Sequence, residues 1–356
     1  MTAETTTGAA EFAQIESHTA QLGSHQCHYL ACGPTHGPLI FFVHGWPELS
    51  RSWRHQLPVF GGLGFRAIAP DMRGYGQSSV YPEHSDYAQE QVVDDLRALH
   101  DHLGGAPAIW VGHDWGSPSV WLMASYHPQR CVAVASLCVP YASIERGLEH
   151  CIEYVDRSVY PADTYPAGQW EYMRFYEEHF DIATRQFEAN SKNVVQALFR
   201  KGDPAGFGQP AATAFTRINR GWFGDADSAP EVPRDADVVT AEDVEVYAEA
   251  LTRNGWFGPD SYYMNHALNA AYAASAPNDG RLDMPVLFIA AQYDYVCETI
   301  TSDLAAPMRA ACSNLTERVV YSGHWLAQEK PAAVNRELVQ WLTTAAPEIW
   351  PADRPA

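Results

Sequence analysis

The sequence predicts an α/β fold, a mostly parallel, doubly wound sheet carrying an inserted helical lid. Three observations predict it. Short continuous apolar runs, Leu39–Val43 and Pro285–Ala290 among them, read as strands covered on both faces. Segments with helical spacing lie between the early runs, the strand–helix–strand alternation of a parallel sheet. After Pro140 the rhythm changes, and no comparable apolar strand occurs until the pattern resumes near residue 276. The expected organisation is a flexible tail over 1–19, a core over 20–140 and 276–356, and a helical lid, or cap, over 141–275.

The elements follow in order. Gln21–Cys32 alternates loosely and ends at Gly33-Pro34, as a hairpin strand does. Leu39–Val43 stops at His44-Gly45-Trp46-Pro47, and Trp53–Phe60 reads as a helix. Phe65–Ala69 is a strand that runs into the glycine-rich loop Asp71–Ser78. Tyr87–Leu103 places Val92, Val93, Leu96, Leu99 and Leu103 at helical spacing. Ile109–Val111 breaks at Gly112, Val120–Tyr126 is helical, and Val132–Val139 is a strand. In the insertion Glu171–Arg200 is amphipathic and aromatic, while Lys201–Asp237, full of Gly, Pro, Asp and Ala, reads as a long surface connection. Ala241–Thr252 and Tyr262–Ala274 read as helices. Pro285–Ala290 leads to Gln292-Tyr293-Asp294, and Leu304–Ala311 is a helix. Leu315–Tyr321 leads to Ser322-Gly323-His324-Trp325, and Val334–Thr343 closes the chain as an amphipathic helix.

Composition excludes several function classes. With 43 acidic and 23 basic residues the net charge is −20, which argues against nucleic acid and anionic membranes as partners and chiefly serves solubility. Met1–Thr19 has neither a basic nor an apolar region of a signal, and no run approaches a membrane span. Seven scattered cysteines without C-x-x-C spacing suggest a reducing, cytoplasmic setting. His25, Cys27 and His28 fit an alternating strand better than a metal site, so no metal is expected.

The chemistry centres on Gly112-His113-Asp114-Trp115-Gly116. Gly-x-Asp-x-Gly between a strand and a helix is a nucleophile elbow with Asp where Ser is more usual. Its plain alternative is a strand–turn–helix with a capping Asp. Asp294 and His324 follow, each after a late strand, in the chain order nucleophile, acid, histidine of the α/β-hydrolases. A carboxylate attacking saturated carbon leaves an alkyl ester that water can hydrolyse, whereas Ser would leave a stable ether. His324 is then the base for that water, and Asp294 orients and stabilises its imidazolium. The backbone N–H groups of Trp46 and Trp115 are the expected oxyanion donors, with Pro47 stiffening the first loop.

These motifs carry a resemblance. His44-Gly45-Trp46-Pro47, Ser52-Trp53-Arg54-His55-Gln56, Arg73-Gly74-Tyr75-Gly76-Gln77-Ser78, the elbow, Gln292-Tyr293-Asp294 and Gly323-His324-Trp325 together resemble the epoxide hydrolases of α/β-hydrolase fold. The likeness covers about Leu39 to Leu342 and looks closest to bacterial, mycobacterial-type members. It implies two lid tyrosines that grip the epoxide oxygen. Tyr172 fits the first in Tyr172-Met173-Arg174-Phe175-Tyr176, and Tyr263 the second in Gly258-Pro259-Asp260-Ser261-Tyr262-Tyr263, with Tyr176 and Tyr262 as alternatives. It further implies hydrolysis of an apolar epoxide to a vicinal diol with water and no cofactor, and it is compatible with a homodimer. A haloalkane or haloacetate dehalogenase on the same Asp114, Asp294 and His324 is the runner-up, and Asp114-Trp115 suits it. A non-catalytic sensor is a third reading, disfavoured because nothing in the catalytic set is degenerate.

Overall fold

The computed structural model describes residues 14–351. Eight strands form one sheet: β1 (Glu16–Leu22), β2 (His25–Cys32), β3 (Leu39–Val43), β4 (Arg66–Pro70), β5 (Ala108–His113), β6 (Cys131–Leu137), β7 (Val286–Ala291) and β8 (Leu315–Val320). Their order is β1-β2-β4-β3-β5-β6-β7-β8. The pairs β1–β2 and β2–β4 are antiparallel, and the rest of the sheet is parallel. Every residue of β3, β4, β5 and β7 is buried, as continuous apolar runs require when helices cover both faces. At the open edge, β8 exposes Glu317 and Arg318, charges that discourage pairing with another chain.

One expectation is corrected at the N-terminus. The tail assigned to 1–19 does not hold over its last residues, because Glu16–Leu22 is β1, paired along its whole length with β2. Residues 1–13 lie outside the described residues.

The core helices are α1 (Leu57–Gly62), α2 (Gln89–His102) and α3 (Gly116–Tyr126). The region between β6 and β7 holds α4 (Leu148–Glu153), α5 (Glu171–Glu188), α6 (Ser191–Leu198), α7 (Ala241–Asn254), α8 (Phe257–Ser261) and α9 (His266–Ala274), and α10 (Ala306–Ala311), α11 (Leu326–Glu329) and α12 (Pro331–Ala345) follow. Tyr262–Ala274 is not one helix: Tyr262–Met264 is a 3₁₀ turn, and Asn265 leaves helical geometry before α9. The 201–237 connection contains short 3₁₀ turns at Pro204–Gly206 and Ala212–Phe215. α7 starts with a capping box in which Asp243 N–H donates to Thr240 Oγ1 and Thr240 N–H to Asp243 Oδ2. The same buried Asp243 carboxylate receives Arg51 at 2.7 Å and Arg54 at 2.8 Å, fastening the insertion to the core. No helix among the described residues is long and apolar enough to cross a membrane.

The chain winds to opposite sides of β3, first to β4 and then to β5. Ligands collect outside the carboxyl ends of strands at such a switch point. Trp46 follows β3 and Asp114 follows β5, so both stand there.

Candidate active site

The elbow is tight. Asp114 sits at φ +49, in the left-handed region that Asp tolerates better than most residues. The surrounding glycines are needed for close approach. A Cβ on Gly116 would stand 2.1 Å from the Val43 carbonyl oxygen, and one on Gly45 would stand 2.4 Å from Asp114 Oδ1 and 2.7 Å from Trp115 N. The turn therefore presses the Asp114 carboxylate against the β3 loop. Trp46 N–H donates to Asp114 Oδ1 at 2.6 Å.

On the carboxylate's other side, His324 Nε2 lies 3.4 Å from Asp114 Oδ2. Its Nδ1 donates to Asp294 Oδ2 at 2.7 Å. Asp294 Oδ1 in turn accepts from the backbone of Val296 at 3.0 Å and Cys297 at 3.1 Å. Burial works against the Asp294 charge, yet His324 and these amides hold its carboxyl below the ordinary range. For His324 burial likewise opposes charge, but the Asp294 and Asp114 carboxylates on either side keep its pKa well above the usual value. The three residues that the sequence pointed to meet in one line.

Tyr172, on the first turn of α5, and Tyr263, on the 3₁₀ turn, stand over this line. Their rings are 5.4 Å apart, and Tyr263 lies 5.3 Å from Trp115 and 5.6 Å from Trp46. Among the described residues neither hydroxyl has a hydrogen-bond partner. The alternatives are occupied: Tyr176 donates to Asp260 Oδ1 at 3.0 Å, and Tyr262 to the Arg73 carbonyl at 3.1 Å. Burial pushes both unpartnered phenols well above the usual pKa, and the Asp114 charge adds to the rise. Trp222, from the long connection, closes the aromatic enclosure at 5.5 Å from Trp46 and 5.5 Å from Tyr172.

Sequence reading missed the support beneath the histidine. Glu48 Oε2 accepts from His113 Nδ1 at 2.8 Å and from Gly45 N–H at 3.0 Å. His113 Nε2 donates to the His324 carbonyl at 2.8 Å. Burial opposes both charges, but each sustains the other, with the Glu48 carboxyl lowered to about 2 and the His113 imidazole raised to about 10. The position of His113 next to Asp114 was the one available signal. Asp260 and Trp222 were also missed.

His113, Cys138 and His324 bring ligand-type atoms within 4.8 Å of one another. Each is already engaged, His113 with Glu48, Cys138 with the His324 carbonyl and His324 with Asp294. His25 contacts Tyr81 and Asp95, and His28 pairs with Asp71 at 2.6 Å, at the start of the glycine-rich loop.

Comparison with known proteins follows the same lines. A family profile described as alpha/beta hydrolase fold matches residues 38–331. Epoxide hydrolase A of Mycobacterium tuberculosis is 32% identical over 317 residues, covering 87% of this chain and 92% of that protein. Bifunctional epoxide hydrolase 2 of Mus musculus is 31% identical over 318 residues, 89% of this chain but 53% of the mouse protein. The chain thus spans about half the length of such bifunctional relatives. Among solved structures, epoxide hydrolase A from Mycobacterium thermoresistibile superposes with a TM-score of 0.72 at 27% identity, over 93% of this chain and 98% of that one.

Proposed function

We propose that this chain, which belongs to the epoxide hydrolases of α/β-hydrolase fold, converts an apolar epoxide and water to a vicinal diol through an ester on Asp114. The observation that carries the reading is the Asp114 carboxylate itself. One oxygen is held by the Trp46 N–H, the other faces His324 Nε2, and two unpartnered phenols stand above.

Asp114 Oδ2 attacks a ring carbon, and the ring C–O bond breaks. The departing oxygen is hydrogen-bonded by Tyr172 and Tyr263 and takes a proton from one of them. Asp114 is now a neutral ester. One of the two carboxylates that favour the charged imidazolium has lost its charge, so the neutral His324 imidazole that can accept a proton is favoured once there is an ester to hydrolyse. It takes a proton from water, and the hydroxide adds to the Asp114 carboxyl carbon. Negative charge develops on Oδ1, facing the Trp46 and Trp115 N–H groups. Collapse frees the diol and restores the carboxylate, and the proton left over returns to the phenolate. Asp294 holds the His324 ring and its charge throughout. The insertion between β6 and β7, taken as the lid over 141–275, excludes bulk water from these steps. Scattered cysteines without C-x-x-C spacing support a cytoplasmic setting.

The dehalogenase reading would set the Trp115 indole at a departing halide; the two unpartnered phenols of Tyr172 and Tyr263 favour an epoxide oxygen instead, and the Trp46 indole N–H is already given to Asp260 at 3.0 Å. A panel of styrene oxide, fatty-acid and cyclic epoxides, with chloroalkanes and fluoroacetate as controls, separates the two. Diol formation is expected, with His324→Gln accumulating an enzyme adduct at Asp114 by mass spectrometry. In a single turnover in heavy-oxygen water the diol carries unlabelled oxygen. Label appearing directly in the diol, or halide release without diol, overturns the reading.

A further inference from the structure

Asp260 is buried completely within the insertion, and no basic side chain pairs with it among the described residues. Its carboxyl instead accepts three hydrogen bonds from outside its own helix. Trp46 Nε1 and Tyr176 Oη donate to Oδ1, each at 3.0 Å, and Thr184 Oγ1 donates to Oδ2 at 3.0 Å. A buried carboxylate without a cation is costly, and burial pushes this one up to about 7 against the pull of its three donors. An apolar side chain of the same size would pack there without that cost. The donors indicate what the carboxylate does. Trp46 is the residue whose backbone N–H meets Asp114 Oδ1 at 2.6 Å. Tyr176 lies flat on the Tyr263 ring, with centroids 4.6 Å apart and planes within 3°.

We propose that Asp260 is a positioning residue for both chemical steps: through Oδ1 it fixes Trp46 against Asp114 and, through Tyr176, the Tyr263 ring above Asp114. One carboxylate thereby sets the spacing between core and insertion at the reacting carbon. The inference rests on the epoxide hydrolase reading above.

The test is rapid-quench single turnover with styrene oxide, following the alkylated protein as it forms and decays. Asp260→Ala is expected to slow both formation and hydrolysis of the ester by about tenfold or more, with a smaller effect on KM, because misplacement of about 1 Å is costly at a reacting centre. Asp260→Asn restores both rates to within about threefold, since its amide oxygen still accepts from Trp46 and Tyr176 and its NH₂ can donate to Thr184. Where Asp260→Ala does not fold, two single variants read the branches separately. Trp46→Phe slows hydrolysis more than formation, because charge builds on Oδ1 in hydrolysis. Tyr176→Phe slows formation more than hydrolysis, because it loosens Tyr263. Asp260→Ala rates within about threefold of wild type, Asp260→Asn as slow as Asp260→Ala, or two single variants slowing both steps in the same proportion would overturn the inference. Failure of the underlying reading is distinct: wild type itself then forms no ester.

Discussion

Asp114 and the two phenols above it pose the residue-scale question of which hydroxyl is free to act. The lid sequence offers Tyr172 or Tyr176, and Tyr262 or Tyr263, each pair in nearly the same motif context. Tyr176 and Tyr262 donate to fixed acceptors, and Tyr172 and Tyr263 do not. A phenol already donating to a carboxylate or a carbonyl has no proton to share with an epoxide oxygen. Tyr172→Phe and Tyr263→Phe are therefore each expected to slow ester formation by about 10²-fold, the double variant more, with hydrolysis of the preformed ester changed little. Single-turnover fluorescence of the nearby Trp46 and Trp115 measures the two steps. A Tyr172→Phe variant that slows only hydrolysis would contradict the assignment.

At the scale of elements, the elbow works because glycines let β5, α3 and the loop after β3 approach within contact. Gly116→Ala places a Cβ 2.1 Å from the Val43 carbonyl. Overpacking of this kind costs about 1–3 kcal/mol, seen as a lower midpoint in urea, with loss of activity because α3 carries the elbow. Gly62→Ala is the contrasting case. Gly62 ends α1 with nothing within 4 Å of an added Cβ, so the change is expected to stabilise by about 0.5 kcal/mol through the unfolded chain. The central strands and most core helices are legible in sequence, because burial on both faces forces continuous apolar runs, whereas β1, exposed over most of its length, carries no such run and reads as tail. The turn at Tyr262–Met264 and α8 before it are less so. Gly258-Pro259 reads locally as a break, yet packing holds a short helix there.

Across the whole molecule, the Glu48–His113 pair joins the loop after β3 to the loop that carries His324. Its pH dependence follows from the shifts. Glu48 is lowered from 4.5 to about 2, so its contribution is full above pH 4.5 and is lost as pH falls through 2. His113 is raised from 6.5 to about 10, so its contribution is full below pH 6.5 and is lost as pH rises through 10. The stability of wild type over Glu48→Gln is expected to be greatest between these limits, at about 3 kcal/mol, and to shrink on both sides. Urea unfolding of both proteins across that pH range measures it, and a difference that does not vary with pH would contradict the pairing.

The amino-acid sequence was sufficient for the α/β order of elements, the elbow at Asp114 and the succession Asp114, Asp294, His324. These are written in local patterns: apolar runs, glycine spacing, and a polar residue just past the end of a strand. Folding was needed to choose between neighbouring tyrosines, to seat Glu48 under His113, and to bring Asp260 to Trp46. Those partners are 65 and 214 residues apart in the chain. No periodicity links such positions, because their contact depends on where the insertion lands on the sheet, and that is a property of the packed molecule.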